Sequence, residues 1–528
     1  MFIIAMFRCS PMGLEERLRY AYSRDPERVE SHVFQTGEIV MIVPLLSLFC
    51  LLSPTNNTGQ MIILEGLPLQ LEWFDVNADG HSDLVALMLL SQTEGRVDTF
   101  MEDGKLRGFY EDYHVKEKYL ATVLYEHGTW READRISLGT DAILGFALGP
   151  ADPTQLMLWR KEALFRHEWS GDGWRNKDRF ATRGLLAGQS VQLSGFPFWQ
   201  TSERGAVWLI PDLDGIHLVY ADEANERDRY RFLPYPDFMF GEADQPRERH
   251  SLEFSMPRMI DIDAGPFPEL VFQGNGLASG RDLAAPNIRF DGAAQGTLMD
   301  MNGDGLADLV EVEEPEDIDR RKDLPKLKTR VRTFLATAPL KFSATPQNDQ
   351  MVPGLLLTDV DSEIKLAEPF MDINGDKLPD LAGMAFKLST FQIAKLVATG
   401  RFTITFLLHL NVQQANGTFK TVPDGPFEMV WRINIRRLRL PELAQVAADF
   451  DGDGWVDLLM EKGSRLEITP VTGAGYQRSR KWSQKLPDPV RNPDQVYGKD
   501  MTGDGKAAFV AVKFESRRTT IAVLEPRP

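Results

Sequence analysis

Cysteine is almost missing from this chain of 528 residues: Cys9 and Cys50 are the two it has, and both fall in the first tenth. The rest of the chain therefore has no disulfide framework, no cysteine zinc site and no thiol nucleophile. Basic residues are outnumbered, 59 Lys and Arg against 77 Asp and Glu, for a formal charge of −18 and a pI near 5.0. That balance argues against nucleic acid as the main partner, because phosphate binding needs a basic surface. It suits a protein that gathers cations. After Ser53 no apolar run approaches the roughly 20 residues of a membrane span, so no span is expected in the body. Catalytic signatures are absent too: there is no HExxH pair, no GxSxG elbow, and no Walker or Rossmann glycine pattern. The eight histidines (His32, His81, His114, His127, His167, His217, His250 and His409) are scattered. What remains, 43% hydrophobic and 26% charged, is an ordinary globular composition that excludes wholesale disorder.

Residues 1–59 read as a leader. Ile39 to Ser53 (IVMIVPLLSLFCLLS) is an unbroken apolar run, short for a span but of the right length for the apolar region of a secretory signal. A charged stretch, EERLRYAYSRDPERVE, precedes it, which points to Met41 as the true start and to the first 40 residues as a wrongly assigned extension. Two features oppose this: Met41 is not followed by basic residues, and Phe49 is not the small residue that a lipoprotein cleavage site wants before Cys50. A buried strand or helix is the alternative. Export, and an extracytoplasmic location, is the expectation.

Internal repeats decide the reading of residues 60–528. Six segments share one pattern: DVNADGHSDL from Asp75, DIDAGPFPEL from Asp261, DMNGDGLADL from Asp300, DINGDKLPDL from Asp372, DFDGDGWVDL from Asp449 and DMTGDGKAAF from Asp500. Apolar stretches of strand length flank them, such as LEWF and LVALMLL, or GTLM and LVEV. Gly-rich turns follow near Gly104, Gly173, Gly417 and Gly475, the punctuation of hairpins. The unit reads strand, acidic loop, strand, connection, strand, Gly turn, strand. Repeated round an axis, such four-stranded units make an all-β propeller, here of seven or eight blades. Two units that have lost the acidic loop centre on 138–149 and 191–220. The interval from Asp261 to Asp300 is tight for four strands. The last copy leaves chain for three strands, and MIILEG at 61–66 is expected to supply the fourth, joining the two ends and removing exposed edges. Three insertions stand out: a solvated, mixed-charge extension at 313–330, a helix over 386–400, and a turn-rich connection at 234–250.

The acidic loop has the chemistry of a hard divalent cation site. Calcium takes six to eight oxygens in irregular geometry. In the copy at Asp300, alternate residues Asp300, Asn302 and Asp304, the carbonyl of Leu306 and the side chain of Asp308 can supply them, with water completing the set. Gly305 allows the sharp turn at positive φ. Two carboxylates about 5 Å apart repel by about 3 kcal/mol at an effective dielectric near 20, so an empty cage would be strained. The copies at Asp75, Asp300 and Asp449 are complete and are expected to hold calcium. At Asp372, Lys377 stands where Gly belongs, so either a lysine is left-handed or the loop reshapes. At Asp261 the third acidic position is Gly265; at Asp500 the second is Thr502 and the ninth is Ala508. Both read as structural turns. An EF-hand would need flanking helices and a Glu at position twelve, where Ala86, Gly383 and Met460 stand in three copies and Glu311 in one.

The loop followed by Leu, with downstream turns such as NGTF, resembles the FG-GAP/VCBS repeat, the unit of the integrin α-subunit propeller that is also common in exported bacterial proteins. The resemblance covers roughly 60–528. It implies a β-propeller with calcium in the loop between the first two strands of a blade. By position its ligands would be Asp75, Asn77, Asp79 and Asp83; Asp300, Asn302, Asp304 and Asp308; and Asp449, Asp451, Asp453 and Asp457. His81, Leu306 and Trp455 would give carbonyls. Asp372, Asn374, Asp376 and Asp380 would make a further set. The family fixes no ligand. The expected function is a non-catalytic binding or adhesion module for a protein or a carbohydrate. An extracytoplasmic hydrolase or lyase on the same scaffold is the alternative.

Overall fold

The computed structural model describes residues 60–91, 115–140, 143–149, 152, 154–160, 163–181, 199–202, 205–212, 215–220, 229–234, 258–263, 265, 268–272, 277–278, 288–289, 296–313, 321–356, 369–387, 401–434, 444–515 and 517–526. The leader, the turn near Gly104, the 235–250 part of the long connection and the 388–400 part of the expected helix lie outside them.

Strands follow one another along the chain and pair antiparallel with their sequence neighbours, so each sheet closes before the next begins. The first sheet holds Leu67–Phe74, Asp83–Ser91, Val115–Glu126 and Thr129–Gly139; the second holds Ile143–Leu148, Gln155–Arg160, Ala163–Trp169 and Trp174–Ala181. The third contains Trp199–Ser202, Gly205–Asp212, Gly215–Tyr220 and Tyr230–Pro234, and the fourth the short strands Arg258–Ile260, Glu269–Phe272, Leu277–Ala278 and Ile288–Arg289. In the fifth are Gly296–Met299, Asp308–Glu313, Lys328–Phe334 and Asn348–Pro353. The sixth has Phe370–Met371, Asp380–Lys387, Arg401–Gln413 and Phe419–Thr421, with Phe427–Asn434 as an extra strand on Arg401–Gln413. The seventh has Ala444–Ala448, Asp457–Glu461, Arg465–Thr469 and Trp482–Lys485. Gln495–Asp500, Ala507–Glu515 and Arg518–Leu524 begin the eighth, and its fourth strand is Gln60–Glu65 from the other end of the chain. Among the described residues there are thus eight sheets of this kind.

The burial pattern explains why these sheets stack face to face. Second strands such as Asp83–Ser91 and Ala507–Glu515 are apolar at nearly every position, because a neighbouring sheet covers each face. Outer strands alternate. In Gln60–Glu65, Ile62 and Leu64 are buried while Met61 and Ile63 are exposed. Continuous apolar clusters join the fourth sheet to the fifth, the fifth to the sixth, the sixth to the seventh, the seventh to the eighth, the eighth to the first, and the first to the second. Antiparallel four-stranded sheets packed in chain order, with the first and last described strands in one of them, make a β-propeller.

The closure expected from MIILEG is present: Gln60 lies opposite Val523 and Glu65 opposite Arg518. One residue, Gly66 at φ +86°, then carries the chain into the first sheet; a Cβ there would meet the Leu89 carbonyl oxygen at 2.2 Å. Its N–H donates to the Arg517 carbonyl at 2.8 Å. The described parts of the degenerate units at 138–149 and 191–220 fall on the joint between the first and second sheets and on the third sheet; 191–198 lie outside the described residues.

Two expectations are corrected. The mixed-charge extension is not wholly solvated: Arg321–Lys326 is a 3₁₀-helix, and Leu324 and Leu327 are buried against Leu355. Phe386 and Lys387, expected to begin a helix, end the strand Asp380–Lys387, since β-pairing with Phe406 and Thr405 outweighs the local helical pattern.

Candidate metal centres in the acidic loops

Each acidic loop joins the first strand of a sheet to the second; four of the six share one internal geometry, and the loop at Asp75 differs by one shifted donor. The first aspartate turns the chain by accepting backbone N–H groups. Asp300 Oδ1 accepts from Gly303 at 2.7 Å, and Oδ2 from Gly305 at 2.8 Å. Asp449 accepts likewise from Gly452 and Gly454, Asp372 from Gly375 and Lys377, and Asp500 from Gly503 and Gly505. Asp75 accepts from Asp79 and Gly80. The fifth residue then accepts from the N–H of the seventh: Asp79 from His81, Asp304 from Leu306, Asp376 from Leu378, Asp453 from Trp455 and Asp504 from Lys506, each at 2.9 Å. Lys377 does adopt the left-handed conformation, φ +69°, and leaves this pattern intact.

The third residue separates the copies. Where it is asparagine, its Nδ2 donates to the fifth-residue carboxylate: Asn77 to Asp79 at 3.0 Å, Asn302 to Asp304 and Asn374 to Asp376 at 2.9 Å. Where it is Asp451, no amide is there to donate. Asp449, Asp451 and Asp453 each bring a carboxylate oxygen to within 4.8 Å of the others, at a half-exposed position. Three like charges that close favour a cation between them. Asp453 is raised from the usual aspartate range, by burial first and by Asp451 and Asp449 next.

The ninth aspartates sit apart from this triad. Asp83, Asp308, Asp380 and Asp457 are all fully buried at the first residue of the second strand. One oxygen accepts the N–H of the second loop residue: Val76, Met301, Ile373 or Phe450, at 2.9–3.0 Å. The other accepts an N–H at the end of the third strand or just past it: Tyr125 at 2.9 Å, Ala336 and Gln413 at 2.6 Å, Val471 at 3.1 Å. The carboxylate clamps loop to sheet, a job that needs no cation. Burial pushes Asp83 and Asp457 up to about 7 and Asp380 up to about 6, against the pull of the two N–H donors; Asp308 is raised for the same reason.

The copy at Asp261 holds a residue that the motif did not single out. Glu269 stands at the ninth place, is buried, accepts the Ile262 N–H at 3.1 Å, and brings an oxygen to within 4.8 Å of Asp261 and Asp263. The glutamate in DIDAGPFPEL was the available signal; the longer side chain reaches both the clamp position and the loop acids. His81, within the first loop, packs edge-on against the Tyr125 ring at 5.4 Å.

No protein-family model matches this sequence, and no curated protein matches it. Solved structures do. The chain is similar to the Photorhabdus luminescens Tc holotoxin pore at 15% identity and a TM-score of 0.28, covering 86% of this chain but 18% of that one. It is similar to the WD40 domain of SCAP from fission yeast (10% identity, TM-score 0.34, 89% and 98% covered). It is also similar to the Nup133 β-propeller domain of Vanderwaltozyma polyspora (8% identity, TM-score 0.32, 77% and 97% covered).

Proposed function

We propose that this protein is a calcium-stabilised propeller of the FG-GAP/VCBS type that acts outside the cytoplasm as a non-catalytic binding module for a protein or carbohydrate. The convergence of Asp449, Asp451 and Asp453 carries the metal part of this reading. These residues would hold the ion together with the Trp455 carbonyl and water. Asp75, Asn77 and Asp79 with His81, and Asp300, Asn302 and Asp304 with Leu306, would hold two more, and Asp372, Asn374 and Asp376 a fourth. A short loop of carboxylates, amides and carbonyls open to solvent suits calcium, which accepts irregular oxygen sets, better than magnesium, which demands an octahedron. The ninth aspartates would serve chiefly by fixing each loop to its sheet. The ion would relieve the mutual repulsion of the loop acids and stabilise the folded chain by mass action.

Calorimetric titration of the purified chain with calcium tests this, repeated with Asp451→Ala. Heat that saturates in the parent and loses one site in the variant supports the reading. No heat, with melting indifferent to calcium, would end it. A glycan and surface-protein binding screen in calcium tests the module's role.

A further inference from the structure

Neighbouring acidic loops are bonded to one another. The N–H of the eighth residue of one loop donates to a carbonyl at the first or second residue of the loop preceding it round the ring. Val456 reaches the Ile373 carbonyl, Ala507 that of Asp449, and Ser82 that of Met501, each at 2.8 Å. The last bond crosses the joint between the chain ends. In the Asp372 loop the eighth residue is Pro379, which has no N–H to give. There Gln413, buried at the end of Arg401–Gln413, donates Nε2 to the Met301 carbonyl at 2.7 Å. A side chain from a distant strand thus reaches the acceptor position that a backbone N–H reaches elsewhere. The loops also approach one another in the same order, backbone to backbone at Gly375 and backbone to side chain at Gly303 and Gly452. A Cβ on Gly375 would come 2.6 Å from the Gly454 carbonyl oxygen, one on Gly303 would come 3.4 Å from Leu378, and one on Gly452 would come 3.8 Å from Lys506.

We infer that the loops beginning at Asp300, Asp372, Asp449, Asp500 and Asp75 form one continuous hydrogen-bonded arc that locks five adjacent sheets together across the joint of the chain ends, with Gln413 as the positioning residue that replaces the amide missing at Pro379. A buried carbonyl left without a donor is costly, so opening one loop strips a partner from the next. Loop order is therefore shared along the arc. This goes beyond the proposed cation sites, because the bonds join protein to protein whether or not an ion is held.

Hydrogen exchange of the full chain, followed by mass spectrometry in calcium and in chelator, tests the arc. Gln413→Met keeps the length of the side chain and removes the donor; among the described residues Gln413 Oε1 has no hydrogen-bond partner to lose. Peptides spanning 300–308 and 372–380 should exchange about fivefold faster, the factor one net hydrogen bond is worth, while 205–220 in the third sheet stays unchanged. Adding Pro379→Ala restores a backbone N–H and should return the protection. Unchanged exchange at 300–308, a rise equally large at 205–220, or no rescue by Pro379→Ala would overturn the inference. Ser82→Pro tests the far end of the arc independently, and copies a residue that the Asp372 loop already accepts at that place. It should speed exchange at 500–507 and in the closing strand 60–65; protection retained there would also overturn it.

Discussion

Lys377 donates its backbone N–H to Asp372 Oδ2 at 2.8 Å from a left-handed conformation, φ +69°. Glycine makes the same bond in the loops at Asp75, Asp300, Asp449 and Asp500. A side chain with a Cβ costs about 1–2 kcal/mol there, and glycine returns part of that gain as extra entropy of the unfolded chain. Lys377→Gly should therefore raise stability by about 0.5–1 kcal/mol in urea unfolding. An unchanged or lower midpoint would show that lysine makes a compensating contact.

The buried ninth aspartates and the exposed loop acids should part company on mutation. Asp457→Ala leaves the N–H groups of Phe450 and Val471 without their acceptor inside the protein. At about 1–3 kcal/mol for each orphaned group, it should destabilise the chain by about 2–6 kcal/mol even in chelator. If Asp457→Ala melts with the parent in chelator, the clamp is not a stabilising element.

Asp451 should show the converse. It accepts a weak bond from Asp453 N–H at 3.3 Å and otherwise adds charge to the triad. Asp451→Ala should leave the melting temperature in chelator unchanged or slightly higher, and should shrink the upward shift that calcium produces in the parent. An equal calcium shift in parent and variant would take Asp449, Asp451 and Asp453 out of the metal reading.

Much of this arrangement was legible in the sequence, because a repeated loop between apolar stretches is a local signal. The alternation of Asp300, Asn302 and Asp304 and the pairing of 61–66 with the last strand follow from spacing and strand count alone. The ninth aspartate misleads a reading by spacing. Asp308 continues the alternation of the loop, yet it is already the first residue of a strand, and its environment is set by Ala336 just past the third strand. Glu269 escaped notice because the motif was written with aspartate in that place. The bond from Gln413 to Met301 has no local signature, since it joins residues on different sheets.

Acid should act on this protein through two buried histidines. Burial lowers both His167 and His409 below the ordinary 6.5. Below that value the unfolded chain takes up protons that the folded chain resists, so stability falls as pH drops from about 6.5 toward the folded values, and at pH 7.5 neither group contributes. Asp83 and Asp457 act in the opposite sense, since their folded values near 7 lie above 3.8 and they favour the folded chain as pH falls below 7. Comparing His409→Leu with the parent isolates the histidine. Between pH 7.5 and pH 5.5 the variant's stability in urea unfolding should rise relative to the parent's; an equal change in both would show that His409 is protonated alike in the folded and unfolded states.

The closing strand makes the strongest mechanical prediction, because its two faces have opposite surroundings. Leu64 is buried in the cluster that joins the eighth sheet to the first, whereas Ile63, its neighbour, is 57% exposed. Both residues are apolar and both sit in the same backbone ladder, opposite Thr519 and Thr520. Leu64→Ala should cost about 2–4 kcal/mol through the cavity it opens, and Ile63→Thr should stay within about 0.5 kcal/mol. The Leu64 loss should appear as faster hydrogen exchange in 518–524 as well as in 60–65, since the strands share their hydrogen bonds. If Ile63→Thr proves the costlier change, the strand is paired one residue out of the register described, because a shift of one residue would exchange its two faces.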